Sequence, residues 1–232
     1  MRVLVLMTCA GLVAAALSLG APEARSSQPA APPVSLLPDA TFAPLAAPEA
    51  VQVAVAFAVE PSDARAARLM AIARRELDRL GSAIAHRDRV AIVDYSRPSN
   101  EPRLFLVSMD AGTVRALRVT HGKGSDPLHT GTVQQFSSVD GSEATSRGAY
   151  RTGERYTGQH GRSMRLDGLD SDNRTARARA IVVHAAAYAE PSVVRTHGQM
   201  GRSQGCFALA SADLPAVLDF LGEGRLLFAD RI

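Results

Sequence analysis

Two stretches of this 232-residue chain carry apolar residues at helical spacing. From Ser62 onward, Leu69, Ile72, Ala73, Leu77 and Leu80 share one helical face, with Ser62 as the N-cap and Gly81 as the stop. Near the other end Ser211 caps a helix "ADLPAVLDFLG"; Pro215 falls in its first turns, where a missing N–H is tolerated. Between the two the period shortens. "RVAIVDY" and "RLFLVSMD" read as strands, followed by a turn at "DAGT" and then by "VRALRVT". Further β segments fall at "GAYRTG", "SMRLDGL" and "RARAIVVH", and "RLLFAD" closes the chain as a last strand. Little between His86 and Arg195 reads as a long helix. The pattern predicts a mainly β domain with flanking helices, a β-sandwich or partly open barrel.

The N-terminus has a different composition. Arg2 precedes an apolar run, Val3 to Leu19, and small residues follow it, so residues 1–24 read as a secretory signal peptide cleaved after Gly20 or Ala24. Cys9 lies too early in that run for a lipidation site and leaves with the peptide. Residues 25–60 are rich in Ala and Pro and read as a linker, within which "VQVAVAFAV" (Val51 to Val59) alternates weakly as a strand would. Residues 61–86 are expected to hold the first helix packed on the main domain, which takes up residues 87–232. Export to the periplasm or beyond is the expected localisation.

With hydrophobic content at 46% and charged content at 21%, the chain can build a packed core. Its net charge of +3 is spread along the sequence, which argues against nucleic acid as the main partner. Export changes the meaning of one thiol. In an oxidising compartment structural cysteines come in pairs, yet Cys206 has no partner once Cys9 is removed. It sits in "HGQMGRSQGCF", where Gly201 and Gly205 permit conformations that a Cβ forbids. Arg202, Ser203 and Gln204 make this a poor core segment. A thiol here can attack a carbonyl while the N–H groups of Gly205 and Cys206 face the developing oxyanion.

A nucleophilic thiol needs a base, and His86, His121, His129, His160, His184 and His197 are available. His184 ends the apolar strand "AIVVH", so a rigid element delivers its ring to the sheet rim. His197 lies near Cys206 in sequence but in a loop, where it could help to bind substrate. His121 and His160 each precede a glycine, as loop residues do, and spacing assigns them no role. No H-E-x-x-H, C-x-x-C or paired-His spacing is present, so no metal is expected; "GRSQG" has the letters of a lipase elbow without its strand–elbow–helix context.

The segments "VAIVDYSRPSNEPRLFLVSMD", "THGKGSD", "SSVDGSEATSRGAYRTGERYTGQHGRSMRLDGLD", "DNRTARARAIVVHAAAY" and "GRSQGCFAL", in that order, resemble the YkuD-type L,D-transpeptidases, in particular the murein L,D-transpeptidase catalytic domain branch. The resemblance implies a cysteine acyl-enzyme mechanism on peptidoglycan stem peptides. The thiolate attacks the carbonyl of the third-position diamino acid and expels the terminal D-alanine; the thioester then passes to an amine or to water. Carried over by residue, Cys206 matches the nucleophile and His184 the general base. The N–H groups of Gln204, Gly205 and Cys206 match the oxyanion hole. Arg202 and Ser203 match the polar turn that holds substrate, with His197, His160 and Tyr150 as further substrate-binding candidates. The better-known motif has histidine two residues before the cysteine and arginine two after; here Gln204 and Ala208 stand there. In the closer branch glycine follows the histidine and proline follows the cysteine; here these are Ala185 and Phe207.

A hydrolase on the same scaffold, an L,D-carboxypeptidase or endopeptidase, stands beside transpeptidation, and a non-catalytic wall-binding module is the third reading. A carbapenem is expected to acylate Cys206. No organic cofactor is implied, since thiol acyl transfer requires none, and a monomer is expected.

Overall fold

The computed structural model describes residues 62–232. The signal peptide, the linker and the Val51–Val59 strand of the sequence reading lie outside them. Helix α1 spans Asp63–Leu80 and buries Leu69, Met70, Ile72, Ala73 and Leu77 on one face. Gly81, at φ 52°, ends it and donates its N–H to the Leu77 carbonyl. Ser62 precedes it with extended backbone, but its hydroxyl caps nothing, since this first turn is exposed and water can satisfy its N–H groups.

Eight strands follow: β1 Arg89–Asp94, β2 Leu104–Ser108, β3 Thr113–Leu117, β4 Gly148–Gly158, β5 Gly161–Gly168, β6 Val182–Ala185, β7 Phe207–Leu209 and β8 Leu226–Asp230. They form one sheet in the order β3-β2-β1-β8-β4-β5-β6-β7, antiparallel except where β1 meets β8 and β6 meets β7. The sheet rolls until its two ends meet. Just past β3, Thr120 donates its N–H to the Ala208 carbonyl of β7 (3.0 Å), and Gly122 bridges Ser203. Sandwich and open barrel were alternatives in the sequence; a single rolled sheet, partly open, is what forms.

Rolling gives the sheet an inside. Ala91, Val93, Leu104, Leu106, Leu117, Tyr150, Met164, Leu166, Val183 and Phe207 meet there, with helix α3 (Leu214–Leu221) adding Leu214, Val217, Leu218 and Leu221. On the other face α1 covers Val90, Ile92, Phe105, Val107 and Phe228. Side chains alternate across a strand, so β1 is buried at both parities only because a helix covers each face.

The C-terminal helix begins later than its sequence suggested. Residues 211–213 form a turn, Asp213 takes the N-cap position, and Ser211 does not cap: its N–H is held by Glu190 Oε1 at 2.8 Å. A short helix, α2, Pro191–His197, went unforeseen because it buries nothing and so shows no apolar period. Its punctuation is nonetheless in the sequence: proline opens it, and Gly198, left-handed at φ 74°, closes it.

Behind β7 lies a buried polar chain. Arg103, fully buried, donates to the Val119 carbonyl (2.9 Å), to the Arg97 carbonyl (3.1 Å) and to Nδ1 of His121 (2.7 Å). A guanidinium only donates, so Nδ1 accepts and the His121 proton sits on Nε2, 3.2 Å from Asp126 Oδ2. Burial and the Arg103 charge lower the His121 pKa to about 4, against the Asp126 hydrogen bond. Burial would raise Asp126, but the N–H groups of Thr130 and Gly131 outweigh it and hold the carboxyl below its usual range.

This chain makes stability fall in acid. Between pH 6.5 and 4 the unfolded chain binds a proton at His121 and the folded chain does not, so stability is complete above 6.5 and is lost as pH falls. The gap in pKa corresponds to about 3 kcal/mol. Urea titrations at pH 7 and pH 4.5 are expected to show a lower midpoint at the acid value; equal midpoints would contradict the lowered His121 pKa.

Candidate active site

Parallel pairing of β6 with β7 places the two residues singled out for catalysis. Val183 faces Phe207 and His184 faces Ala208, so extending the register one step back sets Cys206 opposite Val182. Val183 and Phe207 point into the core. By alternation His184 belongs to the opposite face, while Cys206, just ahead of β7 and level with Val182, is partly buried against the same core as Phe207. His184 and Cys206 line one cavity of about 790 Å³.

His184 is 2% exposed, and its ring is held on two sides. Its Nδ1 lies 2.9 Å from the Ala185 carbonyl, which can only accept, so Nδ1 carries the proton and Nε2 keeps its lone pair. His160, from the turn between β4 and β5, stacks on the ring at 4.4 Å between centroids and 27° between planes. Burial lowers the His184 pKa, the His160 charge adds to that, and the Ala185 bond opposes it.

The Cys206 thiol, partly buried and free, donates to the Ala180 carbonyl at 3.6 Å rather than to the imidazole. Burial raises its pKa; the Val182 N–H and the Arg179 charge pull the other way. At neutral pH the resting pair is therefore thiol and neutral imidazole.

The turn before Cys206 is held by its own groups. Ser203 Oγ donates to the Cys206 carbonyl (2.7 Å) and accepts the Gly205 N–H (3.1 Å). Gly205 has φ +112°, and a Cβ there would lie 2.7 Å from the Ala144 carbonyl oxygen, so no other residue fits. The Ser203 N–H donates to the His121 carbonyl at 2.9 Å, and Arg202 donates to the Asp126 carbonyl. The buried chain thus supports the turn from behind.

The family described as the L,D-transpeptidase catalytic domain matches residues 64–229 of this chain. The protein belongs to the L,D-transpeptidase catalytic domain family. The match begins inside α1, so the helix is part of the family domain. Solved structures similar to it include the helical cell shape determining protein Pgp2 (K307A mutant) from Campylobacter jejuni, 14% identical over 68% of this chain and 54% of that one, TM-score 0.41. Others are an L,D-transpeptidase from Xylanimonas cellulosilytica (15% identity, 61% and 60% covered, TM-score 0.37) and L,D-transpeptidase 3 from Mycobacterium tuberculosis with a faropenem-derived adduct (15%, 62% and 60%, 0.36). This chain thus spans less than two thirds of the length of each. No curated protein matches it.

For this L,D-transpeptidase-family chain, the cavity collects Cys206, His184, His160, Arg202, Ser203 and Gln204. Four of the sequence assignments change. Tyr150 is a core residue, not a substrate contact: it is fully buried, edge-on to Phe207 at 5.4 Å, with its hydroxyl donated to the Ser146 carbonyl at 2.7 Å. His197 is exposed at the end of α2 and does not line the cavity. Of the oxyanion N–H groups, that of Gly205 is already bonded to Ser203, whose hydroxyl in turn shapes the turn and is not free for substrate. The N–H groups of Gln204 and Cys206 have no partner among the described residues. Among the described residues no three His, Cys, Asp or Glu side chains are grouped to hold a metal ion.

Two cavity residues escaped the sequence reading. Arg179 donates to the carbonyls of Ser137 (3.1 Å) and Ala144 (2.8 Å), and Ala180 beside it is left-handed at φ 52°, turning its carbonyl toward the thiol. No local pattern marks it. Lys123, in "HGKGSD", had one signal: it is the only lysine in the sequence.

Proposed function

We propose that the protein is an exported, cysteine-dependent L,D-transpeptidase acting on peptidoglycan stem peptides. What carries this reading is one cavity shared by a thiol and an imidazole whose Nε2 is left as its free acceptor. Attack requires Sγ to leave the Ala180 carbonyl and turn toward Nε2 of His184, a movement about χ1. As Sγ attacks the carbonyl carbon of the third stem residue, its proton passes to Nε2 of His184. The N–H groups of Gln204 and Cys206 receive the oxyanion. The tetrahedral intermediate then breaks its C–N bond, and the D-alanine amine leaves with the proton from Nε2. An acceptor amine attacks the thioester, loses its proton to Nε2, and the expelled sulfur takes that proton back.

Because the resting pair is neutral, His184 acts as a general base during attack rather than as a standing counter-ion. The Arg179 charge favours sulfur as it ionises. By the same attack on a strained amide, a carbapenem acylates Cys206.

Incubation with a tetrapeptide muropeptide tests this by mass. A cross-linked dimer with release of D-alanine is the expected product. A shortened monomer would instead assign hydrolysis, and unchanged substrate would overturn the enzyme reading.

A further inference from the structure

Arginine supplies every cationic side chain of this sequence but one, and the exception, Lys123, lines the cavity of Cys206. The fold holds its backbone tightly. Gly122 and Gly124 flank it, and each lies against the segment 142–145 with no room for a side chain: a Cβ would sit 2.3 Å from the Glu143 carbonyl oxygen at Gly122 and 1.9 Å from that of Ser142 at Gly124. Gly122 donates to Thr145 Oγ1 (2.8 Å), Gly124 to the Glu143 carbonyl (3.0 Å) and Lys123 itself to the Ser203 carbonyl (2.8 Å). The lysine is thereby tied both to the turn that carries the nucleophile and to the opposite wall.

Its ammonium is held loosely by contrast. Nζ meets Glu143 Oε1 at 2.7 Å, with the two side chains 46% and 37% exposed. Exposed pairs of this kind contribute little, so a competing anion can displace one partner. Glu143 is a left-handed non-glycine residue, φ 52°, a strained conformation of the sort that collects at working sites. The other cations of the cavity are anchored: Arg179 to two carbonyls and Arg202 to one. A compact ammonium on a flexible stem is the group free to follow a ligand.

We propose that Lys123 is a specificity-determining residue: it exchanges Glu143 for a free carboxylate on the acyl donor and so selects anionic donors over their amidated counterparts. This rests on the acyl-transfer reading above. Glu143 occupies the ammonium when the cavity is empty and yields it when donor binds.

The test uses two synthetic tetrapeptide donors that differ only in a side-chain carboxylate or its primary amide at the third position, with Cys206 acylation followed by intact mass. The unsubstituted protein is expected to favour the carboxylate donor by about tenfold or more in kcat/KM, mainly through KM, as suits one charge-assisted hydrogen bond. Lys123→Met should bring the ratio to within about twofold, the size left when that bond is gone, and Lys123→Arg should restore most of it. Glu143→Gln, which removes the competing carboxylate, should lower KM for the anionic donor. Equal use of both donors by the unsubstituted protein, or a Lys123→Met variant that keeps the preference, overturns the proposal. Absence of any adduct with either donor, while iodoacetamide still alkylates Cys206, overturns the acyl-transfer reading itself and is recognisable as such.

Discussion

Cys206→Ser is expected to abolish acyl-enzyme formation with a stem-peptide donor, and His184→Asn to slow acylation by about 10²–10⁴-fold, the range for loss of a positioned general base. Serine keeps the shape of the side chain, and the backbone ties of the turn, Ser203 Oγ to the Cys206 carbonyl among them, do not involve the sulfur. Loss of activity in Cys206→Ser is therefore a loss of chemistry, since a hydroxyl is a far weaker nucleophile at these pH values. In His184→Asn the bond to the Ala185 carbonyl can be remade by the amide, but no basic nitrogen takes the place of Nε2. Alkylation separates the base role from a preformed ion pair. Burial raises the thiol and lowers the imidazole, so iodoacetamide should react slowly at pH 7, faster as pH rises past 9, and His184→Asn should leave that profile nearly where it was. Fast alkylation at pH 6 that disappears in His184→Asn would mean a thiolate–imidazolium pair and would refute the neutral resting state. Should Cys206→Ser remain fully active, the nucleophile has been misassigned.

How far the sequence reaches follows from the range of the forces involved. Helix α1 and strands β1, β2, β3, β5 and β8 are written in local periodicity and fall within a few residues of the expected bounds. Strand β4, by contrast, runs on to Gly158, β6 begins only at Val182, and β7, three residues long, was not foreseen because so short a run shows no period. Cys206 and His184, which line one cavity, were singled out because a lone thiol in a glycine turn and a histidine ending an apolar strand are local statements about chemistry and rigidity. Tyr150 misled because all of Gly148, Ala149 and Tyr150 are buried, so alternation gives no inward or outward sense at that point of β4. His197 misled because nearness in sequence means little across an irregular loop: it ends α2 on the exposed side, and the chain from 198 to 205 turns away before Cys206. The bond between the Gly205 N–H and Ser203 is two residues long and still invisible, since it depends on a φ that only the folded turn reveals. Arg179 reaches the cavity across contacts 35 and 42 residues away in the chain. "THGKGSD" read as loop, as polar and glycine letters should; that its His121 and Asp126 are wholly buried follows only from Arg103, 18 residues before the histidine.

That arginine supplies the second large expectation: Arg103→Leu should destabilise the protein by about 3–5 kcal/mol, the cost of breaking a buried charge network on one side only. Replacing every member of such a network by apolar groups can be neutral, but leucine replaces one. It leaves the carbonyl of Val119 and Nδ1 of His121 without their donor where both are buried, and the half-buried carbonyl of Arg97 as well. The pH dependence should change with it. The Arg103 charge is one of the groups lowering His121, so its removal raises the pKa of that ring and narrows the window in which acid unfolds the protein. Activity should fall further than the folded fraction does. The carbonyls of His121 and Asp126 hold the Ser203 N–H and the Arg202 guanidinium, so a segment loosened at 121–126 frees the turn that aims Cys206. Arg103→Lys separates the two effects, since it keeps the charge but cannot reach three divergent acceptors with a planar fork. Chemical denaturation of the three proteins at pH 7 and pH 5, with acylation rates measured on the folded fraction, reads both. An Arg103→Leu protein within 1 kcal/mol of its parent, acylating at the parental rate, would show that the buried chain supports neither the fold nor the turn, whatever order-of-magnitude cost such networks carry elsewhere.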